Sequence, residues 1–374
     1  MKPVTKKIMI AVSLILFLFC AYHAAQIVRW KMHIWLPDYI SQVFKGKPAV
    51  SGPRHVMFLF VDHYEPGLNE KGVALNNQWL NNYRELAGRH KDSYGRKPQH
   101  TWFYAYDHKN DGVMPDLARA VYEGYGEIEF HWHHDNDTNQ TFPAKLAEGV
   151  AWFNRYGALV DGNGTVAFSF IHGNWSLDNS RGKTACGVNR ELDILKGAGC
   201  YADFTFPSFG QVSQPAQINS IYYAADDDGP KSYNRGVPAA VGKKNSKDLM
   251  IFEGPLTLVD YGAFELDPYP SRRKVDSWID ANIHVQGRPE WIFIKVFTHG
   301  VQSRKVIFSP IADEMFSALE QKYAQGDYRL HYVTAREAYK IVRAAEDGKS
   351  GDPDQYRDYE IKPPLNKIKP LSLP

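Results

Sequence analysis

The chain has 374 residues, enough for one large domain or two small ones. Its content, 44% hydrophobic and 23% charged, excludes a disordered chain, and three cysteines exclude a disulfide-built scaffold. A formal net charge of +2 provides no basic field for nucleic acid.

Lys2, Lys6 and Lys7 precede an apolar run over 8–22 that Ala24, Ala25, Ile27 and Val28 extend past His23 and Gln26. The stretch matches the ~20 residues of a spanning helix. A cleaved signal is the rival reading, but a cut after Ala25 has His23 where a small residue is wanted. Cys20 follows the bulky Phe19, which does not suit a lipoprotein site. Residues 1–30 are therefore expected to form a single-pass membrane anchor. The leading lysines favour an outward-facing, periplasmic or extracytoplasmic domain, although Arg29 and Lys31 weaken that bias. Trp30, Trp35 and Tyr39 suit an interfacial belt. Residues 31–53, with Lys45, Gly46, Lys47, Pro48, Gly52 and Pro53, read as a linker.

Strands are expected at 55–61, 100–106, 127–130, 165–171, 200–205, 249–252, 291–297 and 328–333. The first is a continuous apolar run of the kind buried on both faces. Helices are expected at 75–90, 114–123, 143–156, 189–196 and 310–323, with Ser309 as a cap, and from the capping box Thr334-Ala-Arg-Glu337 to about 346. Strands alternating with helices imply an α/β fold with a largely parallel sheet, open or closed into a barrel, over residues 54–347. Residues 207–248 are rich in Gly, Pro, Ser and Asp and read as an insertion with a short hairpin at 221–223. The segment 348–374 reads as an extended or loose tail. Cys186 and Cys200 could pair in an oxidising compartment.

Ligands in parallel α/β folds bind at the carboxyl ends of the strands. Those ends carry Asp62-His63-Tyr64-Glu65, His131-Trp132-His133-His134-Asp135-Asn136-Asp137, His172-Gly173-Asn174-Trp175 and His299-Gly300. His and carboxylate side chains are natural ligands for a divalent ion such as zinc, and the 131–137 stretch is the densest source of them. His131 and His133 share a side if the strand continues, whereas His131 and Asp135 converge if it turns. A solvated polar loop is the plainer alternative. Asp62 and His63 are candidates for base, ligand or both, although Asp62 is also a common turn residue. His172 and His299 each precede a glycine that permits close approach, and either would serve equally as a structural His. Trp175 suits stacking on a sugar ring or packing in a core. Asp107, His108 and Asp111 read as an ordinary loop. Glu65 enters only as one of two carboxylate partners for Asp62 in a glycosidase, the other being Asp135.

The order of these motifs over roughly 54–340 resembles the polysaccharide deacetylases (carbohydrate esterase family 4), which have a distorted β/α barrel. Phe60-Val-Asp62-His63 is similar to that family's Thr-Phe-Asp-Asp motif. Glu127-Ile-Glu-Phe-His131-Trp-His-His-Asp135 is similar to Glu-Ile-x-x-His-Thr-x-x-His. Lys295-Val-Phe-Thr-His299 is similar to the last motif, and Asp203-Phe204 falls near a substrate-pocket strand. The resemblance implies Asp62 as catalytic base and His299 as acid. It implies His172, Asn174, Trp175, Asp203 and Phe204 in substrate binding. For the metal, zinc, it implies His63, His131 and Asp135, or His133 or His134 in place of Asp135. This chain departs from the family in having His63 for the second Asp, Asp135 for the second His, and His172-Gly-Asn-Trp175 for an Arg-Pro motif. The activity implied is removal of N-acetyl groups from a cell-surface or exported polysaccharide. A glycoside hydrolase on the same fold and a non-catalytic polysaccharide-binding or assembly protein are the alternatives. The partners expected are a glycan and, through the first helix, a membrane.

Overall fold

The computed structural model describes residues 3–265 and 271–370; Lys2 and the last four tail residues lie outside it. Helix α1 (Pro3–Arg29) contains an 18-residue stretch, Val12–Arg29, of mean hydropathy 1.6, long and apolar enough to cross a membrane. A signal sequence would pass the same test.

The expected linker is corrected. Residues Met32–Lys45 form a helix, α2, that ends at Gly46 with φ 68. Trp35 is fully buried against Ile218, Leu256 and Phe209 rather than lying at an interface. Asp38 Oδ2 accepts from Ile218 N at 3.0 Å, and Gln42 Nε2 donates to Ile218 O at 2.7 Å. The Gly/Pro signal belongs only to the far end of this segment. Its first half carries an apolar face for which the 207–261 region supplies the partner.

The sheet is built on β1 (Arg54–Tyr64). One edge of β1 pairs in parallel with β9 (Trp291–Thr298). The other edge pairs with β10 (Tyr328–Val333) along residues 54–59 and with β2 (His100–Ala105) along 60–64. From β2 the parallel order continues through β3 (Gly126–Trp132), β4 (Phe168–His172), β5 (Cys200–Asp203) and β8 (Leu249–Glu253). The expected insertion hairpin is instead β6 (Ser220–Ala224), an antiparallel partner of both β8 and the two-residue β7 (Val237–Pro238). The large, mostly parallel sheet anticipated from the alternation is present. Its inner faces converge: Met57 and Leu59 of β1, Phe103 of β2, Met250 and Phe252 of β8 and Phe293 of β9 share one buried cluster.

Helices α3 (Glu70–Gly88), α4 (Met114–Tyr122), α5 (Phe142–Asn154), α6 (Glu191–Gly197), α7 (Ser271–Asp280), the short α8 (Arg304–Ile307) and α9 (Pro310–Tyr323) accompany the strands. Helix α10 (Ala335–Glu346) opens on the expected capping box at Thr334 and Glu337. It is buried throughout and closes the end of the sheet opposite the strand carboxyl termini. The inward face of β3 shows this division. Glu127 accepts from Thr334 Oγ1 at 2.8 Å and from Lys367 Nζ at 2.7 Å, and Glu129 from Arg336 Nε at 3.2 Å. Two and four positions later the same face presents His131 and His133.

The described part of the tail is not loose. Arg357 is buried and donates to Tyr332 O and Glu337, and the short helix α11 (Leu365–Ile368) brings Lys367 onto Glu127 and Glu337. Its charges match the buried acids of β3 and α10. Cys186 and Cys200 are both free and buried, so the pairing that the sequence left open is not formed.

Candidate functional site

The parallel ladder places the carboxyl ends of β1, β2, β3, β4 and β9 along one edge. The alternation within each strand then decides which side chains meet. His131 of β3 and His133, one residue past its end, point inward and their rings stand 4.5 Å apart. The inward residue of β1 is His63, its ring 4.9 Å from that of His131 and 4.6 Å from that of His299. Trp175 closes the group, 6.2 Å from the His63 ring and 6.0 Å from the His299 ring.

Glu65, just beyond β1, completes a donor set. Its Oε1 lies 3.3 Å from His131 Nε2 and 3.5 Å from His133 Nε2, and the three donor atoms lie within 4.8 Å of one another. The other nitrogen of each ring is committed. His131 Nδ1 donates to Ile171 O at 2.9 Å, and His133 Nδ1 stands 3.1 Å from Asp107 Oδ2. Histidines that hold metals show this arrangement, in which an outer partner fixes the ring and the tautomer. Asp107 also accepts from the backbone N of His133 at 3.0 Å, and Gln302 Nε2 donates to Glu65 Oε2 at 3.0 Å. Two imidazoles and a glutamate form a donor chemistry that suits a catalytic zinc-type ion.

The electrostatics follow from burial and these contacts. Burial holds the His131 imidazole below its ordinary pKa. Burial pushes Glu65 up, but the His131 hydrogen bond and the His131, His133 and His299 charges outweigh it and leave the carboxyl low. Burial pulls His133 down, yet Asp107 and Glu65 hold it above the ordinary value. His299 behaves likewise: burial opposes its charged form, and its close contact with Glu265 overrides that.

The structure sorts the expected residues into different surroundings. His63, His131, His133, Trp175 and His299 meet at the mouth, and exposed Asn174 sits on its rim. Asp62 does not join them. As the neighbour of inward-facing His63 it points to the helix side, fully buried, with Oδ2 2.8 Å from His100 Nε2 and Oδ1 accepting from Gly300 N at 2.5 Å. A Cβ on Gly300 would stand 1.9 Å from Asp62 Oδ2, so the carboxylate fits only against a glycine. The arrangement is a buried brace rather than an accessible base. Asp135 is exposed on the turn after β3, outside the donor groups. His134 and His172 lie on the outer side of β3 and β4 in a second group with Cys186 and Glu191. Asp203 is buried, its carboxylate spent on Thr205 N and Oγ1. Phe204 stacks on Phe252 at 4.6 Å within the core. These residues lie away from the mouth for one reason: residues at a strand end reach it only when alternation and the following turn both point inward.

Glu65 as a donor, Asp107 and Glu265 escaped the sequence reading. For the first two a signal existed: each lies within two residues of an inward strand end. Glu265 lies 34 positions from His299 in a segment without a motif.

No protein-family model matches this chain, and no curated protein matches it. Among solved structures it is similar to an alpha-mannosidase from Enterococcus faecalis V583, with TM-score 0.45 and 9% sequence identity, over 80% of this chain and 30% of that one. The chain thus spans under a third of that protein's length.

Proposed function

We propose that this protein is a metal-dependent hydrolase of glycans, with Glu65, His131 and His133 as the metal-holding residues. The observation that carries this reading is the convergence of His131 Nε2 and His133 Nε2 on Glu65 Oε1, with both Nδ1 atoms held from behind. A divalent ion, zinc in this reading, supplies Lewis acidity toward a carbonyl and lowers the pKa of a bound water. The side chains around it have separable tasks. Asp107 orients His133, and Gln302 orients Glu65. His299, steadied by Glu265 and partly buried, gives a proton to the departing group. The indole of Trp175 offers a flat face to a sugar ring.

The bond cleaved is, in this proposal, the amide of an N-acetyl group, as the resemblance to polysaccharide deacetylases implies. The apolar helix would hold the domain at the outer face of a membrane, beside its polymer. A second reading, cleavage of the glycosidic bond, is favoured by the carboxylates Glu65, Asp107 and Glu265 around the same histidines, since glycosidases work with carboxylate pairs.

One experiment separates these. The full chain in detergent is incubated with N-acetylated oligosaccharides, and acetate and new reducing ends are both measured, for wild type and Glu65→Ala. Acetate release that is lost in Glu65→Ala supports deacetylation. Reducing ends without acetate select the second reading. Turnover that chelation and Glu65→Ala both leave unchanged overturns the proposal.

A further inference from the structure

Behind the mouth lies a second set of donors that the hydrolase reading does not use. His134 follows inward-facing His133 and so points to the outer side of β3, where His172 at the end of β4 meets it with ring centroids 4.4 Å apart. Glu191, the first residue of α6, reaches both: its Oε1 is 2.9 Å from His134 Nε2 and 3.6 Å from His172 Nε2. Cys186 Sγ lies 3.4 Å from Glu191 Oε2. All four side chains are buried, and their four donor atoms fall within 4.8 Å of one another.

We propose that His134, His172, Cys186 and Glu191 form a closed, four-ligand site for a zinc-type ion that is structural rather than catalytic. Tetrahedral ligands at zinc bond lengths stand about 3.4 Å apart, which is the scale of the spacings here. The donor set of two imidazoles, a thiolate and a carboxylate leaves no open position for water or substrate.

The second observation is the state of the two rings. His172 Nδ1 donates to Gly173 O at 2.5 Å, which leaves Nε2 as the acceptor; that atom is buried, without a hydrogen-bond partner, and aimed at Glu191. Buried polar atoms are rarely left so, and an ion is the simplest missing partner. His134 Nδ1 faces Asp137 Oδ2 at 3.4 Å, so this ring has a carboxylate behind it and Nε2 in front. Glu191 Oε2 is fixed by the backbone N of Asp178 at 2.6 Å.

The ion would staple the 183–191 segment to the ends of β3 and β4. That segment already grips the turn after β3, since Asn136 N donates to Lys183 O at 2.8 Å and Asp137 N to Cys186 O at 3.0 Å. His133 and Gly173 lie directly in front of it, so the structural ion would fix the floor of the mouth.

The test is metal content and spectroscopy of the purified full chain, reconstituted with cobalt(II). Wild type is expected to hold two ions per chain and to show a thiolate-to-cobalt charge-transfer band in the near ultraviolet. Cys186→Ser should lose that band and bind at least tenfold more weakly at one of the two sites. Cys20→Ser and Cys200→Ser should keep the band, as should His131→Ala while holding one ion. A wild-type protein without the band, or a band that survives in Cys186→Ser, overturns the proposal. The two readings fail separately. One ion without the band leaves the mouth site standing alone. One ion with the band, unchanged in His131→Ala, leaves only the site behind it. Should Cys186→Ser not fold, the wild-type spectrum and the other two cysteine variants still decide.

Discussion

His133 and His134 are consecutive, and their imidazoles serve opposite sides of the same strand end. His133 Nε2 stands 3.5 Å from Glu65 in the mouth, and His134 Nε2 stands 2.9 Å from Glu191 behind it. The period of two in an extended chain produces this division directly. A disturbance between the two sites should therefore reach the mouth without replacing a ligand.

Gly173 provides that disturbance. A Cβ there would stand 2.3 Å from His133 Cδ2 and 2.7 Å from His133 Cα. Gly173→Ala should displace His133, destabilise the fold by about 1–3 kcal/mol and lower turnover by roughly 100-fold. Chelator competition and steady-state rates measure this; wild-type metal affinity in Gly173→Ala would contradict the placement of His133.

Asp62 is expected to matter for stability more than for chemistry. Asp62→Ala strands the Gly300 N–H and His100 Nε2 in a dry environment, which should cost about 2–5 kcal/mol in denaturant unfolding. Asp62→Asn keeps an acceptor for Gly300 N and should recover part of that loss together with measurable turnover. A folded, fully stable and wholly inactive Asp62→Asn would restore Asp62 to the role of base.

Acid should loosen the tail. Burial alone would raise the Glu337 carboxyl, but Lys367, Arg357 and Lys340 bring it down to about 2 from an ordinary 4.5. A carboxyl depressed on folding contributes stability that is present above its unfolded pKa and lost as pH falls through the folded value. The window is therefore pH 4.5 to 2, and the contribution is on the order of 3 kcal/mol. Thermal melts across that range should show the loss, and Lys367→Met should shrink it. A melt insensitive to pH in that window would count against the Glu337 network.

The domain should begin at residue 30, not at 54. Trp35 fills a cluster with Ile218 and Leu256, so Trp35→Ala should cost about 3–5 kcal/mol. Removal of 1–29 should leave a folded protein, whereas removal of 1–49 uncovers that cluster. Equal melting temperatures for the two truncations would show that α2 does not belong to the domain.

Much of this architecture can be read in the residues themselves. Continuous apolar runs such as 55–61 and caps such as Ser309 and Thr334 act over a few positions, so β1, α9 and α10 were legible locally. So was the edge of the sheet where these histidines gather, because a parallel arrangement sends every strand's carboxyl end the same way. The N-terminal helix was legible as apolar and long enough to span, by composition alone. Tertiary structure decided what the strings of polar residues do. Whether Asp62 or His63 faces inward depends on register, and one position reverses the side. Glu65, Asp107, Glu265 and Glu191 meet His131, His133, His299 and His134 across 66, 26, 34 and 57 positions. The tail and α2 were misread for the same physical reason: their charges and apolar faces are matched by surfaces that exist only after the sheet has rolled up. Local propensity is written into neighbouring residues, whereas charge and donor pairing across a core is a property of the closed fold.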